Sequence, residues 1–216
     1  MMHIPSVRTT PRRHAIGARR LLPALLVLVA ALTALVVPAT AASADTNRVE
    51  ITNSYSGLKA DVIWGSTNPY QRVFLWPNNT SASQEFNLLD SGGGYFRIQA
   101  RHDGQCLMLD WRSGTYGNGT PVIQYPYCAA GYAPAEWSRR TLSGTRCSGN
   151  ICTTGIDEMV LVNRRTGRCL DAANGAGGRP PAQAMLQQWD CVASTSAWNI
   201  GNQAWFIAPP GAVRID

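Results

Sequence analysis

Four residues near the end of the chain combine the side-chain types that a sugar ring requires. Asp171 offers a carboxylate acceptor, Trp189 offers a flat aromatic surface, and Gln187 and Asn202 offer amides that both donate and accept hydrogen bonds. An aromatic ring can cover the apolar C–H face of a sugar, while polar groups bond its hydroxyls. These residue types therefore predict a carbohydrate site. The alternative is that Asp171 fixes a turn and Trp189 packs on a disulfide.

Two pairs of cysteines with equal spacing place these residues in a repeat. The cysteines of each pair are 22 positions apart, and the second pair is the first displaced by 63 residues. Six cysteines form an even set, which favours disulfides in an exported chain. The repeat, with the leftover pair flanking a turn-forming stretch, predicts the disulfides Cys106–Cys128, Cys169–Cys191 and Cys147–Cys152. A zinc half-site at the last pair is the alternative, but it has no second half.

A third copy of the repeat lies ahead of the other two. Strand-like alternation occurs over 49–53, 96–100 and 159–162, and each segment leads to a turn glycine, at Gly57, Gly104 and Gly167. In this alignment Gln124 falls on Gln187, and Lys59 stands where the later copies have their first cysteine. A large aromatic residue closes each copy, which predicts a shared core built on Phe86, Trp137 and Trp205.

The first 44 residues have the form of an export signal. Five arginines precede an apolar run over 21–37, and Ala42-Ser43-Ala44 has the small-x-small form of a cleavage site. The run is at the short edge of what spans a bilayer, so cleavage is favoured over an uncleaved anchor. Either the general secretory or the twin-arginine route remains open. We expect a secreted protein of residues 45–216.

Charge gives no case for nucleic acid once this segment is removed. The formal net charge of +6 rests on five arginines in residues 1–44, and the remainder holds 14 basic and 13 acidic residues. A nucleic-acid surface requires clustered basic residues. The nearest cluster is Arg164, Arg165 and Arg168, which we interpret as a solvated strand end. Neither nucleic acid nor, after cleavage of the signal, a membrane is an expected partner.

The chain resembles the ricin B-chain type of lectin domain. The resemblance rests on three aligned units with the motifs Cys169-Leu170-Asp171, Gln187-Gln188-Trp189-Asp190-Cys191 and Asn202-Gln203-Ala204-Trp205. It implies an all-β β-trefoil of three pseudo-repeats, named the α, β and γ units, over about 48–90, 94–143 and 157–208. It also implies that sugar is bound without catalysis, mainly in the γ unit. The residues expected to contact sugar there are Asp171, Gln187, Trp189 and Asn202.

The α unit keeps part of the expected set. Asp61 and Trp76 occupy the acceptor and platform positions, so we expect them to form a second, weaker site. Phe74 stands at the glutamine position and Ser83 at the closing asparagine. A platform with one acceptor is therefore all that this unit is expected to offer.

The β unit departs further from the pattern. Met108 stands at the acceptor position, and the alignment places Pro126 at the platform and Pro134 at the closing asparagine. Methionine and proline supply neither a charged acceptor nor a flat ring, so the usual site is expected to be lost. Four nearby residues could build a displaced site, namely Asp110, Trp111, Tyr125 and Tyr127.

The sequence favours binding over catalysis. The part after residue 44 has one histidine, His102, which is expected to be an exposed turn residue, and no serine is placed to form a triad with it. No spacing singles out a glycosidase pair, and no metal set, P-loop or dinucleotide motif is present. No cofactor or metal is expected. A protein-binding trefoil of the protease-inhibitor kind, with decayed sugar sites, is the main alternative, and a small hydrolase is a further one.

Overall fold

The computed structural model describes residues 47–142, 145–148, 151–154, 158–174, 179–192 and 201–212. The chain divides into two compact units, Met1–Ala42 and Ser43–Asp216, and the described residues all belong to the second. The predicted export signal and its cleavage site therefore lie outside the described residues. No helix within the described residues is long and apolar enough to cross a membrane.

Four strands make up each of three successive units. In the α unit they are β1 (Arg48–Asn53), β2 (Lys59–Val62), β3 (Val73–Trp76) and β4 (Phe86–Gly92). In the β unit they are β5 (Tyr95–Ala100), β6 (Cys106–Leu109), β7 (Val122–Tyr125) and β8 (Glu136–Thr141). In the γ unit they are β11 (Glu158–Asn163), β12 (Cys169–Ala172), β13 (Leu186–Trp189) and β14 (Trp205–Ala208). A separate hairpin, β9 (Thr145–Ser148) and β10 (Ile151–Thr154), lies between the last two units.

The outer strands of the three units close into a barrel. Antiparallel pairing runs from β1 to β4, β5, β8, β11 and β14, and β14 pairs back with β1. The inner strands form the hairpins β2–β3, β6–β7 and β12–β13. Six barrel strands with one hairpin per unit make a β-trefoil, so the predicted fold class is confirmed.

The closing aromatic residues lie in the core, as predicted. Phe86, Trp137 and Trp205 are fully buried. The indole nitrogens of the two tryptophans donate to backbone carbonyls within their own units, Trp137 to Leu107 at 3.4 Å and Trp205 to Leu170 at 3.0 Å. A buried indole requires such a partner, and its equivalent placement in two units ties each tryptophan to the strand that carries the site.

The predicted turns and the two long disulfides are also present. Gly57, Gly104 and Gly167 have φ of 71°, 77° and 68°, a left-handed conformation that glycine adopts without steric cost. The Cα atoms are 5.2 Å apart in Cys106–Cys128 and 5.0 Å apart in Cys169–Cys191. In the third predicted disulfide, Cys147 lies opposite Cys152 in the β9–β10 register. The side chains of that hairpin lie outside the described residues, so this disulfide stays a prediction.

The α unit has an ion pair at the position where the other two units have their first cysteine. Lys59 stands at the position of Cys106 and Cys169, is buried, and pairs with the buried carboxylate of Glu50 on β1. The α unit therefore fastens β2 to β1 by charge, whereas the disulfides of the later units join β6 and β12 to the segments that follow β7 and β13.

Candidate functional site

Strand pairing in the γ unit brings the predicted residues together. Asp171 on β12 lies opposite Gln187 on β13, and Cys169 lies opposite Trp189. Alternate residues of a strand face the same side, so Gln187 and Trp189 share one face while Gln188 faces the other. Asp171 is buried, whereas the Trp189 side chain is 45% exposed and presents a free aromatic surface.

Three amides hold the Asp171 carboxylate. Gln187 Nε2 donates to Oδ1 at 3.0 Å, and Asn202 Nδ2 and Gln203 Nε2 donate to Oδ2 at 2.7 and 3.0 Å. The structure thus connects three of the four predicted residues directly. Gln203, which the sequence analysis named only as part of the Asn202–Trp205 motif, is a further member. Its second bond, to the Asp190 carbonyl at 3.1 Å, ties the site to the chain just after Trp189.

Burial sets the charge state of this carboxylate. Desolvation raises the pKa of Asp171, and the hydrogen bonds from Gln187 and Gln203 oppose that rise. The three amides fix the carboxylate in place. Such a group can accept a further hydrogen bond from a ligand hydroxyl, which is stronger to an ionised acceptor than to a neutral one.

The α unit builds a related arrangement. Asp61 is buried and accepts from Gln84 Nε2 at 2.9 Å, just as Asp171 accepts from Gln203. Burial raises the pKa of Asp61, opposed by hydrogen bonds from Ser83 and Gln84. Trp76 lies opposite Lys59, the register position of Trp189 opposite Cys169, and is half-buried.

An exposed tryptophan in the α unit was missed by the sequence analysis. Trp64 is 81% exposed and takes φ of 58°, which is uncommon for a bulky residue. Its ring lies 6.2 Å from that of Trp76 at 62°, so the two rings form a corner beside Asp61. The signal available in the sequence was a tryptophan three residues after the acceptor Asp61.

The strand register corrects the alignment of the β unit. Tyr125 lies opposite Cys106, and Ile123 lies opposite Met108. The prediction that Pro126 occupies the platform position was therefore wrong, because Tyr125 does. Gln124 correspondingly matches Gln188 and not Gln187.

A compensated shift explains this error. The connection between acceptor and platform strands is one residue shorter in the β unit than in the γ unit. One extra residue then lies between the platform and the second cysteine, so the spacing of the two cysteines is unchanged. Equal cysteine spacing therefore concealed a one-residue slip.

The β unit carries an aromatic cleft in place of an acceptor. Met108 is fully buried, and the Asp110 carboxylate is taken by Arg112 through bonds of 2.9 and 2.6 Å. These bonds lower the pKa of Asp110. The cleft has a volume of about 470 Å³ and is lined by Trp111, Tyr125, Pro126, Tyr127 and Tyr132. The β unit therefore has no carboxylate acceptor at the position of Asp171, but it keeps aromatic side chains around the cleft.

His102 lies in a turn, as predicted, but the expectation that it is exposed was wrong. Its side chain is only 10% exposed, with Nε2 3.0 Å from the Ser66 carbonyl and 3.4 Å from Asp103 Oδ2. The contact with the Ser66 carbonyl links a loop of the β unit to a loop of the α unit. Among the described residues no group of three or more histidine, cysteine or acidic side chains could hold a metal ion.

Comparisons with known proteins agree with this architecture. Residues 36–125 match the family model described as a ricin-type beta-trefoil lectin domain-like. A comparison with curated proteins gave no match. The resemblance to ricin-type β-trefoil lectin domains noted in the sequence is thereby confirmed.

Solved structures of the same fold span several kinds of protein. The designed threefold symmetric protein ThreeFoil is 24% identical, with a TM-score of 0.59, covering 74% of this chain and 97% of that one. The exo-β-1,3-galactanase of Clostridium thermocellum is 25% identical at TM-score 0.59, covering 77% of this chain but 31% of that one. The Macrolepiota procera ricin B-like lectin, solved with lactose, is 18% identical at TM-score 0.56, covering 76% and 96%.

Proposed function

We propose that this protein is a secreted, non-catalytic lectin that binds carbohydrate mainly through its γ unit. The observation that carries the proposal is the exposed ring of Trp189 beside a buried carboxylate held by three amides. The lactose-bound lectin of the same fold supports a sugar as the class of ligand.

Each side chain of the γ site has a separate part in binding. The Trp189 ring covers the apolar face of the sugar, and the Asp171 carboxylate accepts a hydroxyl proton. Gln187 and Asn202 each donate one amide N–H to Asp171. The second N–H and the oxygen of each amide can then bond neighbouring hydroxyls of the sugar. The ligand is held without any covalent step.

The arrangement around Asp171 argues against glycoside hydrolysis. That reaction uses two carboxyl groups flanking one bond. Asp190, which follows Trp189 in the chain, accepts hydrogen bonds from Asn118 and Arg168 at 2.8 Å each, and these lower the pKa of its carboxyl. A carboxylate engaged in this way is a poor proton donor, so we infer that the γ site binds sugar and leaves it unchanged.

The α unit supplies a second, weaker sugar site in this proposal. Asp61 is the acceptor and Trp76 the platform, and the exposed ring of Trp64 adds a wall. Phe74 replaces the amide that Gln187 supplies in the γ unit. One directional contact is therefore lost, and weaker binding is expected.

A glycan array followed by titration calorimetry tests the proposed function. Residues 45–216 are applied to the array, and the best glycan is titrated against the protein and against Trp189→Ala. Binding by the parent and its loss in the variant are expected. A folded protein that retains no glycan would overturn the proposal.

A protein-binding trefoil is the second candidate, and the aromatic cleft of the β unit favours it. Tyr127 is 52% exposed at this cleft, and aromatic residues are enriched at protein interfaces. Protein binding would be sensitive to Tyr127→Ser and insensitive to Trp189→Ala. Glycan binding would show the reverse, so the two variants separate the candidates.

Export is tested on the protein itself. We propose that residues 1–44 are removed on secretion, from the arginine-rich, apolar and small-x-small order of that segment. Expression in a secreting host followed by amino-terminal sequencing should give a chain that starts at Asp45. A cell-associated product that retains the apolar run would contradict this.

A further inference from the structure

Each aromatic platform is met by a loop from another unit. The residue just before each platform exchanges two backbone hydrogen bonds of 2.8–2.9 Å with a neighbouring loop. In the γ unit the Gln188 carbonyl accepts from Gly119, and the Gln188 N–H donates to Thr120. In the β unit the backbone N–H of Tyr70 donates to the Gln124 carbonyl in the same way. In the α unit the backbone N–H of Gln183 donates to the Leu75 carbonyl.

These three donors share an unusual backbone conformation. Tyr70, Gly119 and Gln183 have φ of 67°, 82° and 67°, all in the left-handed region. Tyrosine and glutamine adopt it here although side chains disfavour it. The left-handed backbone therefore does not by itself explain why the residue that meets the γ platform is a glycine. Another property of the position selects the residue in each unit.

The direction of the side chain at this position is visible in two units. A Cβ on Gly119 would lie 3.8 Å from Trp189 Cζ3 and 3.9 Å from Gln187 Oε1, directly at the γ site. In the β unit the position holds Tyr70. Its ring centroid is 4.9 Å from that of Tyr125, and the two hydroxyls are 3.4 Å apart.

A further group closes the β platform. The Arg112 guanidinium lies 4.5 Å from the centroid of the Tyr70 ring, and Trp111 packs on the same ring at 5.9 Å. Tyr70 is thus held over Tyr125 by contacts on several sides. The equivalent surface of Trp189 meets only the hydrogen of a glycine at this position.

We propose that this left-handed residue, supplied by a different unit, determines what each platform can bind. Gly119 leaves Trp189 open to a sugar ring, Tyr70 covers Tyr125, and Gln183, which is exposed, occupies the equivalent position of the α unit. The inference rests on the proposed function for its ligand, since it names the residues that set access and specificity at those same sites.

The first test introduces the residue of the β unit into the γ unit. Gly119→Tyr is compared with Gly114→Tyr, a matched control at an exposed glycine with φ of 72° and no atom within 4 Å of an added Cβ. Hydroxyl-radical footprinting with mass spectrometry measures the oxidation of Trp189, and calorimetry measures glycan affinity. In Gly119→Tyr we expect oxidation of Trp189 to fall and affinity to drop by about tenfold or more, as stacking is lost. The control should match the parent in both.

The second test opens the covered platform. Tyr70→Gly should raise the oxidation of Tyr125 while that of Trp189 stays constant. If Gly119→Tyr does not fold, Gly119→Gln replaces it, because Gln183 already occupies the equivalent left-handed position. Unchanged oxidation of Trp189 in the folded variant, or of Tyr125 in Tyr70→Gly, would overturn the proposal.

The footprinting result is independent of the ligand. Absence of glycan binding in the parent protein would defeat the proposed function, while oxidation of Trp189 and Tyr125 would still decide whether the neighbouring residue controls access. Glycan binding that persists in Gly119→Tyr with Trp189 protected would show that sugar is bound elsewhere, and would overturn the assignment of Gly119 as the residue that controls binding.

Discussion

Gln187 lies directly opposite Asp171 on the neighbouring strand, and its amide nitrogen donates a 3.0 Å hydrogen bond to the Asp171 carboxylate. Both residues are thereby oriented by the hairpin before any ligand arrives. Preorganisation of this kind reduces the entropy that binding must overcome.

Trp189→Ala should remove most sugar binding while the fold is retained. The stacking surface is lost, but the buried rings of Trp137 and Trp205 remain. We expect a loss of affinity of about tenfold or more in titration calorimetry, with an unchanged melting curve. Tyr127→Ala, at another exposed ring, is the control and should bind like the parent. Equal affinity in parent and Trp189→Ala would exclude the γ site.

Sugar binding should weaken on acidification. Burial raises the pKa of Asp171 above its ordinary value of 3.8, and the ionised carboxylate is the better acceptor. Affinity should therefore fall as pH decreases through a midpoint above 3.8. Asp171→Asn should bind weakly and without this dependence. Calorimetry across pH measures both, and a midpoint below 3.8 would contradict the account.

The same carboxylate affects folding with a defined sign. Because its pKa is higher in the folded state, the unfolded chain releases the proton first as pH rises. The contribution of Asp171 to the free energy of unfolding should therefore decrease as pH increases from 3.8 through the raised pKa. The free energy of unfolding, measured with urea at several pH values, should therefore depend differently on pH in the parent and in Asp171→Asn over that window. If the free energy of unfolding depended on pH in the same way in both proteins, the pKa of Asp171 would not be raised by folding.

The disulfides should contribute unequally to stability. Each long bridge joins cysteines 22 residues apart, and the chain-entropy model gives a stabilisation of about 3 kcal/mol for such a loop. The predicted Cys147–Cys152 bridge closes a short loop and should contribute less. Double serine variants compared by urea unfolding measure the difference, and non-reducing peptide mapping tests the pairing. A peptide joining Cys128 to Cys147 would refute the repeat.

Polysaccharides should bind more tightly than their monosaccharide, but only modestly. One strong and one weak site on a rigid domain raise apparent affinity only for a polymer that spans them. Trp76→Ala should abolish this enhancement and leave monosaccharide binding intact, and Trp64→Ala should reduce it. If polysaccharide binding survives Trp76→Ala unchanged, the α unit is structural and the protein has one site.

Much of the fold could be predicted because its determinants repeat along the chain. The turn glycines, the closing aromatic residues and the equal cysteine spacing recur at matching positions, and each reports a local requirement of backbone or packing. Asp171, Gln187 and Asn202 could be singled out from their motifs, whereas the bond from Gln203 to Asp171 could not.

The remaining features depend on loop length, on turn conformation and on contacts between units, which cysteine spacing does not encode. Tyr125 was misplaced because two single-residue changes in loop length cancel between the cysteines. Trp64 was missed because its exposure follows from a left-handed turn, and Gly119 because its neighbour Trp189 belongs to another unit.

The pairing of β1 with β14 orders the assembly of the molecule in time. Residues 50–53 at the start of the barrel find their partners in residues 205–208. During synthesis one edge of β1 therefore stays unpaired until nearly the whole domain has emerged. Under the export proposed above, the barrel would be completed only after translocation, and the Cys106–Cys128 loop could be oxidised before the final strand docks. A premature stop ahead of residue 205 would release a chain with an open edge, which is prone to aggregation and proteolysis.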